Sequence, residues 1–375
     1  MLREVGIHNF KCFESVSVPF RPLTLLSGLN SMGKSTVIQS LLLLRQSYSN
    51  QLLFKGRLSL NGELVRIGTG ADALYEWADE DELGFTVDFD DAGRGEFRFE
   101  YEEPADVLRL VSPLPEMDLF QGNLFADGFR YLNAERMGPR SSFGMSDFAV
   151  RSLKQIGTQG EHTAHFLTEY GARLTTKEQL RYPGVESPSV LANVEAWLQE
   201  ISPGAKLQIT PYSGTDQVEL RVLFSVKGQV PSKAYRSTNV GFGLTYVLPV
   251  ITALLSADPG SIVIVENPEA HLHPRGQVRM GELMALASSA GVQVITETHS
   301  DHVLNGIRLA VHSGKVRPDG VRLLYFGREV DASGIKASIF QPEIDADGRI
   351  DDWPEGFFDE FERSLEQLFI PREAE

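Results

Sequence analysis

Apolar residues recur at short polar intervals at the start of the chain, at Val5, Ile7 and Phe10 and then at Val16, Val18 and Phe20. That spacing predicts half-buried strands. Leu23-Thr24-Leu25-Leu26 follows as a short buried run, and from Ser35 to Ser47 the period lengthens, with Val37, Ile38, Leu41, Leu42 and Leu44 apolar as on a helix. A strand therefore enters a glycine loop that opens a helix.

From about Leu58 to Tyr101 the period returns to two. Phe85, Val87 and Phe89 face Phe97, Phe99 and Tyr101 across Asp90-Asp91-Ala92-Gly93, which predicts a hairpin with a polar turn. Residues 105–235 are the least regular, with helical candidates at 146–156, 160–170 and 189–201 and a strand pair near 206–226. They read as an inserted, largely helical subdomain between 1–104 and 236–328.

After residue 236 the alternation is regular again. A helix from Gly243 to about Ser256 stops at Asp258-Pro259-Gly260, and Ser261–Val265 is a buried strand. Gln277–Ala290 is a helix closed by Gly291, Val292–Thr296 is a strand, Ser300 caps a helix to about His312, and Val321–Phe326 is a further strand. Helices alternating with near-continuous apolar strands predict an α/β fold whose mixed, largely parallel sheet is covered on both faces. An antiparallel β region and the insertion complete it, with no long coiled coil, and 329–375 form an acidic extension.

At 375 residues, 42% hydrophobic and 23% charged, the composition is that of an ordinary globular protein. The single cysteine, Cys12, makes an intrachain disulfide impossible and suits a reducing compartment. The opening MLREVGIHNFKCFESV carries charges where a signal peptide needs an apolar run, and no stretch is apolar enough to span a bilayer, so a cytoplasmic protein without a membrane partner is expected. The net charge of −16 is concentrated: Asp72–Asp106 holds −12 and Gln341–Glu375 holds −9, leaving +5 on the other 305 residues. The body of the protein is thus open to polyanions, nucleic acid included.

Gly28-Leu29-Asn30-Ser31-Met32-Gly33-Lys34-Ser35 satisfies GxxxxGK[ST], with a strand before it and a helix after it. In such a loop the backbone N–H groups from Asn30, Ser31 and Gly33 through Thr36 surround a phosphate. Lys34 reaches the outer phosphates of ATP, and the Ser35 hydroxyl is placed for Mg²⁺. Ligands of parallel sheets sit at the carboxyl ends of the strands. Glu266-Asn267-Pro268-Glu269 follows one predicted strand and Glu297-Thr298-His299 another, so three strand ends can converge on one γ-phosphate.

The segment Ile262–Pro274, IVIVENPEAHLHP, resembles the Walker B and D-loop of ABC-type ATPases in the SMC, RecF and OLD group, whose usual form ends DEPEAHLHP. Glu297-Thr298-His299-Ser300 looks like that group's switch-histidine motif. The resemblance implies ATP and Mg²⁺ as ligands, with metal held by Ser35 and Glu266. Here Glu266 stands where the family has the metal-binding Asp, and Asn267 where it has the catalytic Glu. An asparagine cannot accept a proton from attacking water, which leaves Glu266, Glu269 and Glu297 as candidates, beside His299, and implies slow turnover without a partner.

Asn239-Val240-Gly241-Phe242-Gly243 occupies the position of the family's signature motif, where a helix start binds the γ-phosphate held by a second subunit. Gly241 and Gly243 are its candidate contacts. Two copies closing over two ATP molecules are implied, with a separate effector protein for output. Arg136 in NAERMGPR, the segment GTQGEH at 157–162 and WPEGFFDE at 353–360 resemble bacterial AAA-type ATPases with a C-terminal domain of unknown function, often found in anti-phage defence loci.

Two alternatives follow from the same group: a RecF-like repair ATPase that binds duplex DNA, and an OLD-type nuclease using Asp345 and Asp347. Against the latter, Asp345-Ala346-Asp347-Gly348 reads as a hairpin turn. A transporter subunit fits least, because the signature departs from LSGGQ. His271 and His273 read as part of the D-loop rather than as a metal pair. Lys11 is either a nucleotide contact or a surface lysine, and Arg136 and Arg140 are open between phosphate or dimer contacts and salt bridges.

Overall fold

In the computed structural model, residues 1–225, 230–331 and 334–369 are described. Among these the centre is a six-stranded sheet in the order Gly334–Phe340, Val321–Asp331, Leu23–Gly28, Gln293–Glu297, Ile262–Glu266 and Phe129–Leu132. All neighbours are parallel except Gly334–Phe340, which runs antiparallel at one edge.

The continuous apolar runs follow from burial on both faces, with successive residues pointing to opposite sides. Ile262, Ile264, Ile295, Leu324 and Phe326 pack toward the Lys34–Ser49 helix and the N-terminal antiparallel sheet. Val263, Val265, Val294 and Leu323 pack into the other core, beneath the helices Phe242–Ser256, Pro274–Ser289 and Asp301–His312.

The N-terminal antiparallel sheet takes the order Phe13–Pro19, Leu2–Phe10, Glu82–Phe89, Gly93–Glu100, Val107–Leu110 and Arg57–Ser59. Its hairpin is the expected one, with Phe85 opposite Phe97 and Phe89 opposite Gly93. Ala205–Pro211 pairs with Gln217–Phe224 as a third, smaller antiparallel unit, joined by Phe143–Gly144 and Tyr235–Arg236.

Several elements within 105–235 differ from the sequence reading. Val107–Leu110 belongs to the N-terminal sheet, and Phe129–Leu132 pairs with Ile262–Val265 at the edge of the central sheet. The helical candidates at 160–170 and 189–201 form as Thr163–Tyr170 and Val190–Ile201. The one at 146–156 shrinks to a single wide turn at Phe148–Ser152, in which Phe148 is exposed and only Val150 is buried. Residues 226–229, inside the proposed insertion, and 332–333 and 370–375, inside the acidic extension, lie outside the described residues.

Past the central sheet, Asp345–Gly348 forms the expected turn. Ile344 bridges Ile350, and one Asp345 carboxylate oxygen accepts the N–H groups of Asp347 at 2.9 Å and Arg349 at 2.8 Å. Phe357 from WPEGFFDE is fully buried edge-on to Tyr325. The first part of the acidic extension is thereby tied to the sheet, and the Glu360–Phe369 helix follows.

Candidate nucleotide site

The loop from Gly28 to Gly33 connects the central strand to its helix. Gly33 caps that helix at φ +100°, and a Cβ there would lie 2.3 Å from the Phe13 ring, so the turn requires glycine. Leu29, Asn30 and Ser31 form the exposed tip, with Ser31 in the left-handed region at φ +64°. Lys34 is buried and folded onto its own loop, its Nζ donating to the carbonyls of Gly28 and Leu29 at 2.8 Å each. Thr36 turns away from the loop, with its hydroxyl 3.5 Å from Cys12 Sγ. Lys11 donates to Gln39 on the same helix, a contact within the chain that accounts for its position.

Parallel register brings the two carboxyl-end glutamates together. Glu266 is the partner of Glu297, and Glu297 lies beside Leu26, two residues before Gly28. The Ser35 hydroxyl donates to Glu297 Oε2 at 3.3 Å, and Lys34 Nζ stands 3.7 Å from Glu297 Oε1. Burial and the neighbouring Glu266 push the Glu297 carboxyl up to about 7, against the pull of Lys34 and Ser35. Burial also raises Glu266, opposed by the hydrogen bond from Tyr131, the Ala134 N–H and the Arg136 charge. Burial lowers Lys34, opposed by Glu297.

Magnesium fits this donor set. The Ser35 hydroxyl and the Glu266 carboxylate are hard oxygen ligands of the kind it takes. Burial is the first cause of the upward shift in both glutamates, and a divalent ion bound beside them would favour their charged forms.

Glu269 is engaged differently. One carboxylate oxygen accepts the Thr298 hydroxyl at 2.7 Å and the other accepts the His299 N–H at 2.9 Å, so its carboxylate braces the strand end that carries the histidine. His299 itself is exposed, and partial burial with the Lys34 charge lowers its pKa, favouring the neutral ring. Ser300 caps the next helix by accepting the Val303 N–H and donates to Gln277 at 2.6 Å, linking it to the Pro274–Ser289 helix.

Gly241 and Gly243 open the Phe242–Ser256 helix, and no hydrogen bond among the described residues joins them to the phosphate loop. A Cβ on Gly243 would lie 2.6 Å from the His271 carbonyl, whereas one on Gly241 would meet nothing within 4 Å. His271, at φ +62°, packs edge-on to Tyr246 with centroids 4.5 Å apart, and His273 caps its helix by accepting the Arg275 N–H. Both histidines are thus engaged within the fold.

Arg136 is buried, and among the described residues its guanidinium has no carboxylate partner. Its guanidinium donates to four carbonyls: Glu266 and Asn267 at 2.6 Å each, Tyr246 at 2.9 Å and Asn133 at 3.1 Å. Burial brings its pKa to about 10. It fastens the end of the Ile262–Glu266 strand to the helix opened by Gly241. For Arg140, the bond found is at its carbonyl, which accepts the Ser237 hydroxyl.

Sequence reasoning missed Tyr131, whose hydroxyl donates to Glu266 Oε1 at 2.8 Å. Burial and the two glutamates raise its pKa, so it remains a donor. It lies in Phe-Arg-Tyr-Leu, an apolar strand with nothing local to mark one hydroxyl as part of a site. Thr298 was read only as part of a motif, and its bond to Glu269 was not anticipated.

A central, largely parallel sheet, a phosphate loop after one of its inner strands and acidic residues at the next two strand ends make up an α/β fold of the SMC-head type. Three family models match segments of the chain: "AAA ATPase domain" over residues 1–99, "AAA domain, putative AbiEii toxin, Type IV TA system" over 215–305, and "Protein of unknown function (DUF3696)" over 316–368. The chain is thus similar to AAA-type ATPase domains in two separate segments and to the DUF3696 family in its C-terminal part. No curated protein matches it.

Among solved structures it is similar to an Smc head bound to the C-winged helix domain of ScpA, at TM-score 0.52 and 12% identity over 91% of this chain and 98% of that one. This likeness shows the fold. An Smc head with an extended coiled coil, bound to the C-terminal domain of ScpA derived from Pyrococcus furiosus, matches at TM-score 0.49 and 11% identity over 98% and 99% of the chains. The SMC head domain from Thermotoga maritima matches at 0.47 and 11% over 92% and 99%. Among the described residues no helix is long and apolar enough to cross a membrane.

Proposed function

We propose that this chain binds and slowly hydrolyses ATP with Mg²⁺, and that two copies close over two nucleotides as a switch for a separate effector. The observation that carries the reading is the meeting of Lys34, Ser35, Glu266 and Glu297 at neighbouring strand ends. Lys34 exchanges its loop carbonyls for the outer phosphates, and Ser35 and Glu266 would hold the metal, whose charge would offset that developing on the phosphates. Glu297 takes the part that Asn267 cannot, accepting a proton from water aligned on the γ-phosphate. Glu269 holds His299 at the rim, where a neutral ring can donate to the same phosphate.

Gly241 and Gly243 stand at the start of the Phe242–Ser256 helix, where a second copy's γ-phosphate would be received. Exposed Phe242 and Leu29, one at each half-site, are apolar surface for that closure. The wording of one matched family model, "putative AbiEii toxin, Type IV TA system", supports a defence role.

The test is the mass of purified protein with and without ATP-Mg²⁺, repeated for Lys34→Ala. Doubling in the unmodified protein alone is expected. An unchanged mass, with subunits unpaired throughout, overturns the closing switch, and rapid hydrolysis by the purified chain overturns slow turnover.

A further inference from the structure

Away from the phosphate loop lies a cleft of about 360 Å³, between the Val190–Ile201 helix, the Pro274–Ser289 helix and the segment from Gln179 to Pro183. Its volume falls within the range of small-ligand sites, roughly 300–1,000 Å³. Trp197 and Tyr182 meet edge to face with centroids 5.5 Å apart, and together with Pro183 and Leu286 they supply apolar wall.

The polar part has more free donors than acceptors. Glu200 accepts from Tyr182, from Arg279 at 3.2 Å and from Arg275 at 3.4 Å, while Glu282 accepts from Arg279 and Lys315 at 2.6 Å each. Both carboxylates are only about an eighth exposed, and every one of their oxygens already accepts at least one hydrogen bond. Arg279 keeps its second terminal nitrogen unused, and Lys315 has donors to spare. Exposed Arg181 spends only Nε, on the Thr176 carbonyl at 3.4 Å, and its two terminal nitrogens have no partner among the described residues. Three cations against two carboxylates in the lining leave one positive charge in excess, so the site prefers negative charge beside an apolar wall.

We propose that this cleft is a second ligand site, for a small organic anion. A phosphate or carboxylate engages Arg181, Lys315 and the free edge of Arg279, and an apolar body lies against Trp197, Pro183 and Leu286. The site does not depend on the ATPase reading, because none of its lining residues belongs to the phosphate loop or the strand ends.

Calorimetric titration with 1-naphthyl phosphate, inorganic phosphate and 1-naphthol tests it on the full chain, on Lys34→Ala, on Arg181→Ala and on Leu286→Trp. Circular dichroism and melting checks the fold of each variant. Naphthyl phosphate should bind at one site and at least tenfold more tightly than either fragment, unchanged by Lys34→Ala. Arg181→Ala, an exposed change, should weaken it about tenfold, and Leu286→Trp should block it. No binding at millimolar probe overturns the proposal. So does binding that Lys34→Ala removes, which puts the probe in the phosphate loop, or binding that Arg181→Ala leaves intact.

Discussion

Ser35 and Glu297 stand 262 positions apart in the chain, and the serine hydroxyl donates to the glutamate carboxylate across 3.3 Å. Parallel pairing of Gln293–Glu297 with Leu23–Gly28 creates this contact by delivering one strand end beside the loop that follows the other. Glu297→Gln keeps the shape and removes the basic oxygen. ATP turnover should fall roughly 100-fold or more, the scale of a lost general base, while nucleotide binding survives. Single-turnover hydrolysis alongside equilibrium ATP binding separates the two, and full turnover in the variant would move the base elsewhere.

The same carboxyl gives a pH dependence. Its folded-state pKa of about 7 lies above the ordinary 4.5, so between those values the native state holds more protons than the unfolded chain. Stability therefore falls as pH rises through that window. From about pH 5 to about pH 8, in the absence of metal and nucleotide, the unmodified protein should lose on the order of 2 kcal/mol relative to Glu297→Gln. Urea melts of both proteins across the range measure the difference, and parallel curves would deny the buried charge.

The phosphate loop, both glutamate-bearing strand ends and the helices after them were legible because each is a local pattern with a fixed spacing. Phe129–Leu132 was not. Four residues inside an irregular stretch carry no period, and the strand is defined by pairing with Ile262–Val265, far along the chain. Tyr131 was hidden for the same reason, since its partner Glu266 lies 135 residues away. Arg136 was visible as a motif residue, yet its four carbonyl acceptors come from segments that only the folded sheet assembles.

Arg136→Ala would strip those four carbonyls of their shared donor. A buried polar group left unpaired costs about 1–3 kcal/mol, so a loss of at least about 3 kcal/mol is expected even after some rehydration. Arg136→Lys should recover part of it, because a single ammonium reaches fewer of the acceptors. Thermal melts rank the three proteins, and equal stability of Arg136→Ala would mean that water replaces the guanidinium.

The two glycines of the candidate signature separate packing from binding. At Gly243 a methyl would sit 2.6 Å from the His271 carbonyl, so Gly243→Ala must displace the D-loop and should destabilise the free subunit by about 1–3 kcal/mol. At Gly241 the backbone is at φ −60°, open to any residue, and a methyl meets nothing within 4 Å. Gly241→Ala should therefore leave the free subunit's melting temperature within about 1 °C, because unencumbered surface changes stay within roughly 0.5 kcal/mol. If a second copy's phosphate approaches this helix start, the added methyl obstructs it, and ATP-dependent doubling of mass should weaken while ATP binding by the free subunit is unchanged. Sedimentation with ATP-Mg²⁺ reads the outcome, and normal pairing by Gly241→Ala would exclude close contact at that position.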